Sequence, residues 1–191
     1  MMESTELPTL TFESKKKFAD WLAKQYDKSE GVWMKLAKKA TGIPSVTYAE
    51  ALDVALCYGW IDGQRRSFDD IYFLQKFTPR RPKSIWSKIN TEKVERLIAS
   101  GEMKASGLKA VEAAKQDGRW DAAYKSQKNI EVPDDFKSAL SKNKKAKAFF
   151  ETLTGAKRYS FLFRIETAKK AETRAKRILQ FVEMLEKGET F

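Results

Sequence analysis

YGWIDGQRRSFDDIYFLQKFTPRRPKSIWSKIN, residues 58–90, decides how this chain folds. Trp60–Ser67 and Ile71–Thr78, joined by Phe68-Asp69-Asp70, read as the two strands of an antiparallel hairpin. Strict alternation puts Trp60, Asp62, Gln64 and Arg66 on one face of the first strand, and Gly63 marks a bulge or a close backbone approach. Pro79 and Pro82 bracket Arg80 and Arg81 and stop the second strand from running deep into a sheet. Asp69 and Asp70 are best placed as turn residues, since adjacent strand positions point to opposite faces.

On the N-terminal side of the hairpin, a short acidic segment leads to a first strand at Leu10–Phe12. Ser14 then caps a helix through Gln25, with Phe18, Trp21 and Leu22 on one face. In Val32–Ala37 the apolar Val32, Met34 and Leu36 alternate with Trp33, Lys35 and Ala37, the period of a strand with one buried face. Thr47 and Glu50 form a T-x-x-E capping box for a helix that Gly59 ends. On the C-terminal side Asn90 is placed as an N-cap, followed by helical stripes up to Gly101 and up to Gly118. Beyond the polar stretch from Gly118 to Pro133 the pattern is helical, with two or three short helices and a long last one ending at Gly188. The expected architecture is α+β: a small antiparallel sheet packed with helices over residues 1–118, a linker over 119–132, and a C-terminal helical bundle over 133–191.

Composition narrows the chemistry. The chain has 191 residues, one cysteine and no histidine. A single cysteine, Cys57, excludes an intramolecular disulfide and a paired-cysteine metal site, and its apolar setting reads as a small buried hydrophobe. Without histidine the usual general base near neutral pH is missing, so no catalytic residue, metal ligand or cofactor is assigned. The first residues, MMESTELPTLTFESKK, hold no apolar signal-peptide core, and no run reaches the roughly 18–20 apolar residues of a membrane span, so a cytoplasmic setting is expected. The net charge of +11 points to an anionic partner, whether nucleic acid, a membrane surface, a phosphorylated or other anionic small molecule, or an acidic partner.

Three stretches carry a family resemblance: SVTYAEALDVALCYGWIDGQRRS, FTPRRPKSIWSKINTEKVERLIASGEM and IETAKKAETRAKRILQFVEMLEKG. Together they resemble the YdeI/OmpD-associated family, also called bacteriocin-protection proteins, across nearly the whole chain. The resemblance implies a role in bacteriocin tolerance and envelope stress, and it implies no particular reaction or cofactor.

Three constellations follow from the residues themselves. In the first, Arg80, Arg81, Lys83 and Lys88 supply positive charge, Ser84, Ser87 and Asn90 supply short polar groups, and Trp60, Phe77 and Trp86 wall an anion-binding loop. The same rings read equally as core and Asn90 as a plain cap. In the second, Asp62 lies with Gln64 and Arg65 or Arg66, either orienting a ligand, serving an enzyme that works without histidine, or forming an ion pair that fixes the hairpin. In the third, Lys170, Arg174 and Arg177 recur at three- and four-residue spacing as a cationic ridge for nucleic acid, or as a solvated helix face. The leading expectation is a non-catalytic stress or protection protein that binds an anionic ligand or partner through Trp60–Asn90.

Overall fold

A computed structural model describes residues 6–191; the start of the acidic N-terminal segment, residues 1–5, lies outside the described residues. The chain forms two compact units, one built from the described residues up to 86 together with 90–122, the other from residues 87–89 and 123–191. The class is α+β.

In the first unit a four-stranded sheet has the order β1-β2-β4-β3, with β1 Thr9–Thr11, β2 Val32–Ala37, β3 Trp60–Ser67 and β4 Tyr72–Pro79. The sheet is mixed rather than wholly antiparallel, because β1 pairs parallel to β2. The cause is the connection: helix α1, Lys15–Gln25, lies between the two strands and carries the chain back to the same end of the sheet. Strand β1 ends one residue earlier than the sequence predicts. Phe12 turns into the core instead, 5.1 Å from Phe18 between ring centroids.

Alternation in β2 divides the sheet into two faces. Val32, Met34 and Leu36 are buried, and their β4 partners Phe77, Gln75 and Phe73 lie on the same side. Over this side pack α1, through Phe18 and Trp21, and helix α2, Tyr48–Cys57. Each large apolar side chain so buried contributes about 1.5–3 kcal/mol. Trp60 enters the same core and donates its indole N–H to the Tyr26 carbonyl at 3.0 Å, which satisfies its polar atom. Both predicted caps form: Ser14 Oγ accepts from the Lys17 amide, and Thr47 and Glu50 complete a reciprocal capping box.

Helix α2 is tied to its neighbours by charge and by contact. Asp53 accepts from Lys93 at 2.8 Å and Arg96 at 2.5 Å, both on helix α3, Lys88–Ala99. Burial pushes the Asp53 carboxyl up, but the two hydrogen bonds outweigh it and hold the group below its usual range. Gly59 takes φ +77° to end α2, as its position in the sequence predicts. Helix α4, Ala105–Gln116, then crosses so closely that a Cβ on Gly107 would lie 2.2 Å from the Cys57 carbonyl oxygen. Cys57 is buried, and burial pushes its thiol up to about 11, in keeping with an inert packing role.

The second unit is helical: α5 Asp134–Ser141, α6 Lys144–Thr152, α7 Gly155–Glu166 and α8 Ala171–Glu186. Phe136, Phe150, Phe161 and Phe181 meet edge-to-face at its centre, a geometry favoured by the ring quadrupoles. Arg174 of α8 grips Asp135 of α5 with two nitrogens, at 2.6 and 2.9 Å. That grip holds the Asp135 carboxyl below its ordinary value. Among the described residues, no helix of the chain is long and apolar enough to cross a membrane.

Gly107→Ala forces α2 and α4 apart and is expected to destabilise the first unit by about 3 kcal/mol, read as a lower urea midpoint by tryptophan fluorescence. An unchanged midpoint would show that the helices are not in contact there. In the second unit, Asp135→Asn removes the forked pair, at a cost of about 1 kcal/mol near pH 7. The wild-type carboxyl titrates lower folded than unfolded, so the pair stabilises fully above the unfolded value and is lost as pH falls through the folded one. Hydrogen exchange in α5 and α8 should therefore quicken in the variant at neutral pH and converge with wild type in acid.

Candidate functional site

The hairpin forms as the sequence predicts, but a bulge reassigns its side chains. Asp62 pairs with Phe77 and Arg65 with Gln75, so Gly63 and Gln64 together oppose the single residue Lys76. The period-two reading placed Trp60, Asp62, Gln64 and Arg66 on one face. The extra residue instead leaves Arg65 on the core side with Trp60 and Asp62, and turns Arg66 to the opposite face. Gln75, which is buried, closes the bulge: its Nε2 donates to the carbonyls of Gly63 at 2.9 Å and of Gln64 and Lys76 at 3.3 Å.

The arginines then find rings rather than carboxylates. Arg65 lies over Phe73, 3.9 Å from the ring centroid, and Arg66 over Trp33 at 4.4 Å. Asp62 accepts from the Tyr48 hydroxyl at 2.7 Å, and Gln64, exposed, accepts from Arg66 at 3.4 Å. The Asp69 carboxylate is bonded by the amides of Tyr72 and Ile71, at 2.6 and 2.8 Å, and these hold it below its usual range. This is a turn geometry, as its position predicts.

Beyond β4 the chain makes a tight turn. The Arg81 amide donates to Ser84 Oγ, and the Ser84 amide to the Arg81 carbonyl. The Arg80 guanidinium stacks 3.4 Å from the Trp86 ring centroid and donates to the Ile85 carbonyl. Trp86 packs in turn on Trp120, centroids 5.0 Å apart. Buried Arg119 fastens the turn from outside, with Nη1 on the Ser84 carbonyl and Nε on the Asp117 carboxylate. The sequence reading assigned Arg119 to a linker; no periodicity marks it.

Trp60, Phe77 and Trp86 do not wall an open site. They are 1%, 0% and 2% exposed and belong to the core. Nor does Asn90 cap α3, which starts at Lys88 and buries Asn90 in its first turn. Ser87 groups with the other unit and bridges to Tyr124, while Lys83 is exposed on the turn. Arg80 and Arg81 do come together, lining a cleft of about 540 Å³ with Lys76, Thr78 and Glu30. Arg65 lines a different cleft, of about 340 Å³, with Lys38, Lys39 and Tyr48. The sequence-predicted loop thus divides into a buried aromatic floor and two separate basic clefts. Lys76 was missed because it reads as an ordinary outward strand lysine. In the second unit Arg174 is committed to Asp135 and the Ile165 carbonyl, and Arg177 to the Arg164 carbonyl, while Lys170 is the N-cap residue of α8.

Residues 10–110, just over half of the chain, match a family described as Domain of unknown function (DUF8412). The chain belongs to that domain family. The hairpin, both clefts and the Gln75 bulge lie inside the DUF8412 region, except for its N-terminal lining residue Leu7. Residues 129–188 match a second family, described as Bacteriocin-protection, YdeI or OmpD-Associated. This match is narrower than the resemblance read from the sequence. Only the terminal stretch, IETAKKAETRAKRILQFVEMLEKG, falls within it, and the other two stretches fall within DUF8412. Curated proteins and solved structures give no match.

Gln75→Leu keeps the volume near its own but leaves the bulge carbonyls without a donor. It is expected to cost about 1–3 kcal/mol in urea unfolding followed by tryptophan fluorescence. A loss too small to measure would mean that the bulge stands without its amide.

Proposed function

We propose that the chain is a non-catalytic ligand-binding protein of the bacteriocin-protection type, and that it captures an anion in the cleft at the end of β4. The observation that carries this reading is the convergence of Lys76, Arg80 and Arg81 on one 540 Å³ cleft against a single lining carboxylate, Glu30. Arginine can take phosphate or carboxylate with two parallel hydrogen bonds, and a strand lysine adds a point charge. Thr78 adds a neutral hydroxyl, and the Arg81–Ser84 turn fixes where the cleft wall stands. The match of residues 129–188 to the bacteriocin-protection family supports the broader role. A cytoplasmic setting remains part of the same proposal.

Two other readings have less support. Nucleic-acid binding through the C-terminal helices would need Arg174 and Arg177 on an open ridge, and both are used to close α7 and α5 against α8. An enzyme built on Asp62 would need a carboxylate turned toward the arginines, and it is bonded to Tyr48 instead.

Calorimetric titration with pyrophosphate tests the proposal. Wild type is expected to bind, and Arg81→Ala or Lys76→Ala to weaken binding about tenfold, the loss of one charge-assisted contact. Equal affinity in all three proteins would remove the cleft from consideration.

A further inference from the structure

The face of the sheet opposite the α1 and α2 core is a surface of rings and cations. On β2 and β4, Trp33 stands opposite Lys76, Lys35 opposite Leu74, and Ala37 opposite Tyr72. The bulge in β3 adds Arg66, opposite Leu74. Arg66 covers Trp33 at 4.4 Å and Lys76 approaches the same ring at 5.8 Å. Lys35 reaches over Tyr72 at 4.8 Å and over Phe68, itself 50% exposed, at 4.4 Å. These ring and cation contacts are made among the residues of the face, each of which is half-buried or exposed.

The charge on this face is of one sign. Outward strand positions carry Lys35, Arg66 and Lys76 and no carboxylate. Aromatic rings held beside strand cations match a ligand that alternates planar bases with phosphates. A duplex hides its base faces in its own stack, whereas an unpaired strand offers them. Lys76 belongs both to this face and to the cleft that Arg80 and Arg81 line, so the two form one basic surface.

We propose that this face is a platform for single-stranded nucleic acid. One base stacks on the Arg66 guanidinium plane that Trp33 backs, another on Tyr72 as Lys35 swings from that ring to a phosphate, and the phosphates pair with Lys35 and Lys76 and run on toward Arg81. The inference rests on the cleft reading for the phosphate path and stands on the sheet face for the bases.

Anisotropy titrations with labelled 12-mers of U and of dT, and with a duplex of equal length, at 50 and 200 mM salt, test it. Wild type should bind a single strand at least tenfold tighter than the duplex, with affinity falling as salt rises. Trp33→Ala and Tyr72→Ala should each lose about tenfold, and Trp33→Phe, which keeps a ring, should retain most of the binding. Circular dichroism melts show that each variant is folded. The stronger of the U and dT strands identifies the ligand as RNA or DNA. No single-strand binding at 50 mM salt, equal binding of the duplex, or folded ring variants that bind as wild type would each overturn the platform. Pyrophosphate binding that depends on Arg81, without oligonucleotide binding, overturns the platform and leaves the cleft; ring-dependent oligonucleotide binding without pyrophosphate binding does the reverse.

Discussion

The hydrogen bonds from the Gln75 amide to the Gly63 and Gln64 carbonyls decide what the hairpin presents on each side. A one-residue bulge inverts the faces of every strand position beyond it. Consecutive arginines face opposite ways in any strand, and the bulge decides which takes which side: Arg65 lies over Phe73 on the core side, and Arg66 over Trp33 on the outward side. The bulge carbonyls are bonded by the buried amide of Gln75, a polar group that would itself be costly to leave unpaired in the core. Alternation in β2 and β4 makes the sheet apolar beneath α1 and α2 and cationic opposite, and the place of Arg66 on the cationic face rests on the bulge that one polar side chain inside the core closes.

Around that hinge the first unit is fastened at its ends. Asp53 joins α2 to α3, and Gly107 lets α4 reach the end of α2. Arg119 and the Arg80–Trp86 stack hold the turn that follows β4. Cation–ring contacts recur at Lys35, Arg65, Arg66, Lys76 and Arg80, so these cations of the sheet and its exit turn are placed on aromatic faces. Such charges keep their field for an incoming anion, which an ion pair would largely cancel.

Much of the fold could be read from the residues. Alternation gave β2 to the residue, the first hairpin strand has its expected limits while the second lies one residue later than expected, at Tyr72–Pro79, and the Thr47–Glu50 box placed the start of α2. Local signals failed where the deciding contact was distant in sequence. The parallel pairing of β1, the burial of Trp86 under Arg80 and the anchoring role of Arg119 depend on partners that no local pattern reveals. Gly63 signalled a bulge, but the side to which Arg66 would turn required knowing that two residues oppose Lys76. The aromatic wall of the candidate site was misread for the same reason: its rings belong to the core, while Trp33 and Lys35 looked like ordinary outward strand positions.

Side-chain indole resonances give the most direct test of a ligand platform on the outward face. The chain has five tryptophans, and Trp33 lies on that face while Trp60 and Trp86 are buried. In a titration of ¹⁵N-labelled protein with a single-stranded oligonucleotide, the Trp33 indole N–H should shift progressively while those of Trp60 and Trp86 stay in place. A silent Trp33 accompanied by movement of the buried pair would contradict the account.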